Sequence, residues 1–381
     1  MSETTRKKRA IVLFNLGGPD SPAAVEPFLF NLFNDPAIIS LPNPFRFLLA
    51  KLISRRRAPI AREIYDHIGG KSPLLELTQE QADALQTALN GEDDGYENRC
   101  FIAMRYWKPF ADDTAAAVKA WGADEQILLP LYPQFSTTTS GSSVKDWKRA
   151  CAKVGLTSPI KTACCYPTNP GFIEASAEMI KAGYERACAK TQELGIEKPR
   201  ILFSAHGVPK AVITKRGDPY QSQIEKTSAA VVEKMAIEGL DWNVCYQSRV
   251  GPMEWIGPST EDEIERAGAE NKAIVVVPIA FVTEHSETLV ELDIEYGELA
   301  HEKHVPVYER VRTVCSHPKF IAGLVSVVKQ TQDELDDKGP DDYTVETRGW
   351  WCPDEHSCAV AKQPALKPGV AGHASGIFQG K

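Results

Sequence analysis

The chain has 381 residues, 43% hydrophobic and 25% charged, with a formal net charge of −8. That length can bury a large core and fits two domains or one duplicated one, and the acidic balance argues against a nucleic-acid binder, which needs a basic face. No apolar run approaches the ~20 residues of a membrane span. The start, MSETTRKKRAIVLF, leads into a strand without the apolar core and cleavage site of a signal peptide. Nine cysteines, an odd number without an export signal, read as reduced thiols in a cytoplasm rather than a disulfide frame.

A first strand is predicted over 10–16, ended by the turn Gly17-Gly18-Pro19-Asp20, with Ser21 and Pro22 placed to cap a helix. Residues 27–59 are rich in Phe and Leu and carry Arg55, Arg56 and Arg57. Exposed, this segment is an apolar patch rimmed by cations, suited to a flat greasy ligand or a bilayer surface. Buried, it is a pair of core helices with a solvated basic end. Residues 60–91 read as helical around the turn Gly69-Gly70-Lys71-Ser72-Pro73, which lacks the upstream glycine spacing of a phosphate loop and is rejected as one. A strand over 100–107, a helix over 112–122 and a strand over 126–135 follow. A hydroxyl-rich loop over 136–143 leads to a helix from Val144, a linker-like stretch over 162–171 and a helix over 172–195.

The pattern then starts again. A strand over 200–205 ends in His206-Gly207-Val208-Pro209, one over 242–247 ends in Ser248-Arg249, and one over 274–281 carries Pro278 where its counterpart carries Pro130. Three ordered matches predict two similar βαβ-type halves, each a small parallel sheet flanked by helices, with a ligand cleft between them at the strand carboxyl ends. A final helix over 320–335 returns to cover a sheet. From Asp336 the composition turns polar, and 363–381 is a Gly/Ala/Pro tail expected to be disordered. The expected division is 1–165 with an insertion at 27–59, then 166–335, then an extension over 336–381.

The chemistry concentrates after the strand at 274–281. Glu287, Glu291 and Glu295 fall at i, i+4 and i+8 of a helix, where like charges repel by roughly 0.2–0.5 kcal/mol per pair, and no Lys or Arg lies within that helix. Leu289, Leu292, Ile294 and Tyr296 also demand burial, so a solvated acidic face is the weaker reading. A rule broken at the carboxyl end of a buried strand marks a working site. His285 stands at its mouth, and His206, at the end of another strand, can take up a proton near neutral pH. The remaining cleft candidates are mainly aromatic: Tyr65, Tyr106, Trp107, Phe135, Tyr220, Trp255 and Phe281. Such walls with a His/carboxylate pole suit a large planar ring that gains or loses protons, and Arg56, Arg57 and Arg105 suit its carboxylate substituents. A closed structural zinc site is not supported, because His285-x-Glu287 supplies too few ligands.

The segments LFNLGGPDSP, RYWKPF, LYPQFSTTTSGSS, LFSAHGVP with KRGDPY, CYQSRVGPMEWIGPSTEDE and PIAFVTEHSETLVELDIEY together resemble the ferrochelatase family over about residues 10–330, on its protoporphyrin-using branch. The resemblance implies an α/β fold of two Rossmann-like, chelatase-type halves. It also implies the insertion of Fe²⁺, as substrate, into protoporphyrin IX with release of two protons. It makes His206 the pocket base or metal-side ligand and Glu287 its partner. His285, Glu291, Asp293 and Glu295 become an acidic path for protons or metal, on a helix locally widened as π-bulges at functional sites are. Arg56, Arg57, Tyr65, Ser72, Arg105, Tyr106, Tyr220, Trp255 and Phe281 are placed near the macrocycle. Residues 27–59 become a lip that meets the inner-membrane surface of a cytoplasmic enzyme, and an upstream porphyrin-pathway enzyme becomes a partner to consider.

The sequence departs from the family's animal members at their iron-sulfur cluster. The internal cysteine position holds Thr137, and WWCPDEHSC offers only Cys352 and Cys358. Cys164 and Cys165 are the remaining donors, with His356 as a further one, and a [2Fe-2S] cluster is not favoured because it needs about four thiolates and adjacent cysteines serve badly as two of them. Two other readings fit the sequence less well. A cobalt or nickel chelatase would carry paired metal-pole histidines and no long lip, and a two-lobed periplasmic-type binding protein would carry a signal peptide.

Overall fold

The computed structural model describes residues 6–249 and 253–336. Its first half is built on β1 (Lys7–Asn15), which is buried from Arg9 onward. β1 is followed by α1 (Val25–Phe33), α2 (Phe45–Asp66) and α3 (Leu74–Asn90), then β2 (Tyr96–Met104), α4 (Ala111–Trp121), β3 (Glu125–Pro130), α5 (Ser140–Val154) and β4 (Ile160–Thr162). The 25-residue α6 (Pro170–Leu194) leads to the second half. There the order is β5 (Arg200–His206), α7 (Lys210–Arg216), α8 (Tyr220–Met235), β6 (Trp242–Gln247), α9 (Thr260–Ala269) and β7 (Ile274–Pro278). A π-helix (Glu287–Glu295), α10 (Tyr296–Glu302), β8 (Tyr308–Arg310) and α11 (Pro318–Asp336) complete it.

The two sheets have the same plan. One runs β2-β1-β3-β4 and the other β6-β5-β7-β8, all strands parallel. Strands covered on both faces must be apolar throughout, and the five residues of β7, IVVVP, are all buried. The duplication predicted from three sequence matches extends to detail. The Met104 amide donates to the Pro109 carbonyl at 2.8 Å, and the Tyr246 amide to the Pro258 carbonyl at 3.0 Å, at equivalent exits from β2 and β6.

Several boundaries differ from expectation. β3 stops at Pro130 and β7 at Pro278, not at 135 and 281. Proline has no N–H to continue a ladder, so the apolar residues beyond it turn into the loops that shape the site. The stretch around 162 is not a linker at its start but the edge strand β4, and the hydroxyl-rich 136–143 already enters α5 at Ser140. Ser21 precedes a short 3₁₀ turn and makes no side-chain cap.

The halves are tied together rather than merely apposed. α11 packs on α6 and crosses to α3 and the first sheet. Four buried polar side chains close the seam. Gln81 donates to the carbonyls of Val282 and Cys315, both at 3.0 Å. Gln134 donates to Thr227 at 3.0 Å, and Gln223 accepts from the Phe135 amide at 2.8 Å. Asp218 accepts from Ser136, from the Thr137 amide and from the Thr137 hydroxyl.

At the α6–α11 crossing a Cβ on Gly171 would sit 2.3 Å from the Lys319 carbonyl and 2.6 Å from Gly323 Cα. Gly171→Ala is therefore expected to lower unfolding free energy by roughly 1–3 kcal/mol, the usual cost of forcing atoms into a packed contact. Gly297→Ala, in open space on α10, should leave stability equal or higher. Denaturant midpoints of the two variants check the contrast.

Candidate active site

β5 and β7 are direct neighbours in the second sheet, so the loops at their carboxyl ends meet. His206 is the last residue of β5. Its backbone carbonyl accepts the Tyr220 hydroxyl at 3.0 Å, and the next residue is Gly207, whose Cβ would lie 2.9 Å from the Gln247 carbonyl. Glycine is required there by close approach, and Trp255 lies over the same position. From β7 the chain turns through 279–286, held to the first half by Thr283. That hydroxyl donates to Gln81 at 2.9 Å and accepts from Asn15 at 3.4 Å.

Glu287 opens the π-helix, and its Oε2 lies 2.9 Å from His206 Nδ1 and 3.8 Å from His285 Nε2. The pair sits deep in the protein, yet the His206 side chain is 41% exposed and that of Glu287 27%. Depth together with exposure marks the wall of an open cleft. Burial opposes ionisation of Glu287, but the two imidazoles overcome it and hold the carboxyl far below its usual range. Burial also opposes a charged His206, and the Glu287 charge and hydrogen bond, with Glu291 behind, win and raise it above 6.5. An ionised Glu287 fixes the proton on Nδ1, which leaves His206 Nε2 as the basic nitrogen.

The acids that the sequence places on one face part company. Glu291 turns inward, accepting from Ser248 at 2.6 Å and Gln247 at 3.0 Å, and burial with the charge of Glu287 raises its pKa. Asp293 is exposed and forms a two-point pair with Arg310, which also holds buried Glu284 at 2.7 Å. Arg310 of β8 thus relieves Asp293 and Glu284, whereas Glu287 is relieved by the two imidazoles. Glu295 is exposed. Asp293 lines a groove of about 470 Å³ on the outer face with Glu298, His301 and Glu302, away from His206.

Other predicted residues are placed unevenly. Tyr65 is buried with its hydroxyl 3.4 Å from Ser286 Oγ, and burial pushes its pKa up to about 12. Phe281 packs on the His285 ring at 4.7 Å. Arg56 and Arg57 are exposed on α2, Arg57 with its guanidinium 5.8 Å from the Phe33 ring. Ser72 is buried against Gly18 and accepts the Leu74 amide. Arg105 is not an unpaired cation: it binds Asp35 at 2.8 Å, Ser142 at 2.7 Å and Asp146 at 3.5 Å. Tyr106 is fully buried with its hydroxyl on the same Asp35. Cys165 is buried beside Gln223, and Cys164 is half-buried. Cys352 and Cys358, with the extension beyond 336, lie outside the described residues, among which no cluster of three or more metal-ligating side chains occurs.

Sequence reasoning missed Gln247 and Ser248, which hold Glu291. It also missed Tyr132, whose phenol lies in the fields of both Arg105 and Glu287 and so brings the first half to the site. The one local hint is that Tyr132 lies two residues after the strand-ending Pro130 and directly before Pro133.

The fold and site define an α/β protein of two parallel-sheet halves with an imidazole–carboxylate pair in an open cleft. The ferrochelatase family model matches residues 8–332. A ferrochelatase of Caulobacter vibrioides is 52% identical over 347 residues, 91% of this chain and 95% of that one. One of Wolbachia from Drosophila simulans is 52% identical over 84% of this chain and 98% of its own. Among solved structures, SirB from Bacillus subtilis with Fe³⁺ superposes with a TM-score of 0.49 at 9% identity, covering 87% of this chain and 98% of that one. The chain belongs to the ferrochelatase family.

Removing the Glu287 charge leaves burial as the larger influence on His206. Glu287→Gln should therefore drop the His206 pKa from above 6.5 to below it, read by NMR titration of the imidazole. An unchanged titration would mean the two groups do not meet in solution.

Proposed function

We propose that His206 Nε2 takes the N–H protons of protoporphyrin as Fe²⁺ enters the ring, with Glu287 stabilising the imidazolium that forms. The enzyme is a ferrochelatase, an iron-inserting lyase of haem synthesis. The reaction replaces two N–H bonds by Fe–N bonds and releases two protons, so iron cannot seat in the plane until the hydrogens leave. The single observation that supports the assignment is the 2.9 Å His206–Glu287 contact at the joined ends of β5 and β7. In this proposal Tyr65, Tyr220, Trp255 and Phe281 flank the macrocycle, and the cations Arg56, Arg57 and Arg105 come from the first half. Only Arg56 and Arg57 are exposed enough to meet propionates directly. On this reading the halves divide near 165/166.

A basic group must be neutral to accept a proton. A raised His206 pKa therefore moves the acid limb of the kcat/KM profile above that of an ordinary histidine, and activity rises with pH through it. His206→Ala should abolish iron insertion while porphyrin binding survives, and Glu287→Gln should slow turnover at least ~10²-fold. Absorbance assays of haem formation and porphyrin titrations separate the two effects. Near-normal turnover in His206→Ala would end the assignment.

The lip is read as the membrane-facing surface. Of the ten exposed large apolar side chains among the described residues, six fall in 27–59, at Ile38, Leu41, Phe45, Phe47, Leu48 and Leu52, and Ile60 follows directly, beside Lys51 and Arg55 to Arg57. No helix of the described residues is long and apolar enough to cross a membrane, so the surface would lie on a bilayer, held by apolar contact and anionic headgroups. Phe45→Ser with Leu48→Ser should reduce cosedimentation with anionic liposomes and spare haem formation from detergent-dispersed porphyrin. Equal cosedimentation would remove the lip from membrane contact.

A further inference from the structure

Tyr296 follows the π-helix, and its amide donates to the Glu291 carbonyl, the five-residue closure of that helix. In an α-helix residues five apart stand about 140° apart around the axis. The wider turn instead brings the two side chains together. The Tyr296 hydroxyl oxygen lies 3.1 Å from Glu291 Oε1 and 2.9 Å from Glu261 Oε1 on α9. A phenol owns one hydrogen, so it donates to one carboxyl only, and the other contact is a hydrogen bond only if that carboxyl carries a proton.

The surroundings say which. Glu291 is nearly enclosed, faces the Glu287 charge and is raised in pKa. Glu261 is half-buried in the first turn of α9, with Oε2 shielded and without a hydrogen-bond partner among the described residues. The consistent arrangement is Glu291 Oε1–H donating to the phenol oxygen and the phenol O–H donating to Glu261. We propose that Tyr296 relays protons from Glu291 to Glu261, an exit that leaves the π-helix sideways through α9.

The proposal rests on His206 as the base. Once a macrocycle covers the cleft, the exposed face of His206 is shut off, and protons must leave through the protein. In each transfer the Glu291 O–H bond breaks and its proton joins the Tyr296 oxygen, while the phenolic hydrogen passes to Glu261. Glu291 becomes a carboxylate, Tyr296 is a neutral phenol again, and Glu261, half-buried in the first turn of α9, becomes an acid whose shielded carboxyl turns outward to release the proton to water. Asp293 cannot serve as the next station because Arg310 holds both its oxygens, and Glu295 points into solvent.

The test compares Tyr296→Phe, Glu261→Gln and Glu295→Gln in the full chain, with porphyrin fluorescence quenching and circular dichroism to check binding and fold. Tyr296→Phe and Glu261→Gln should each lower kcat about 10²-fold, the lower end for a positioned proton-transfer group, with KM for porphyrin within about twofold. Both should raise the solvent deuterium isotope effect on kcat, and the double variant should be no slower than either single one, as for members of one chain of transfers. If Tyr296→Phe fails to fold, Glu261→Gln decides. A folded Glu261→Gln with normal kcat, or a loss in Glu295→Gln without one in Glu261→Gln, overturns the relay. Near-normal turnover of His206→Ala instead overturns the base assignment beneath it.

Discussion

A carboxylate taken from bulk water survives as an anion only where opposite charge and hydrogen-bond donors replace the water. Glu287 meets that condition between His206 and His285, and much of the second half can be read as the means of keeping the three together. Direct pairing of β5 with β7 sets their carboxyl ends side by side. Pro278 ends β7 early enough for the chain to turn through Thr283, and Gln81 and Asn15 of the first half pin that turn. Gln247, from the edge strand β6 of the same sheet, reaches the Glu287 backbone at 3.1 Å and the Glu291 side chain at 3.0 Å. The charge pair is therefore a property of two sheets, not of one loop.

The acid row shows how the same residues acquire different roles from their neighbours. Glu287 and Glu291 lie four apart with pKa values pushed in opposite directions, one by imidazoles and one by burial and the first carboxylate. Environments that separate like groups in this way suit one to stay charged and the other to carry protons. Asp293, two residues further, belongs to a different network with Arg310 and Glu284 that braces β8 against the site.

Much of this was legible in the sequence where signals are local. The apolar runs give β5 and β6 nearly to the residue and β1 except for its first three, charged residues, and the repeat of strand, loop and proline reveals the duplication. The three-residue edge strands β4 and β8 carry too little periodicity to be read. Arg105 looked like a ligand for substrate carboxylates because its partner, Asp35, is 70 residues away and nothing local announces the pairing. The i, i+4, i+8 spacing of the glutamates assumes α-helical turns, and only the family resemblance implies the widening that the π-helix shows. The five-residue closure rotates that face, so Glu295 leaves it while Tyr296 joins it.

The polar seam between the halves has a mechanical consequence. Asp218 grips the loop after β3 through three donors, Gln134 and Gln223 cross in both directions, and α11 straps α6 to α3. Such a seam opposes the lobe opening on which a hinged binding protein depends. Strain on fitting a flat macrocycle between the halves would then fall on the guest, and a porphyrin's inner hydrogens leave only when they tilt out of its plane.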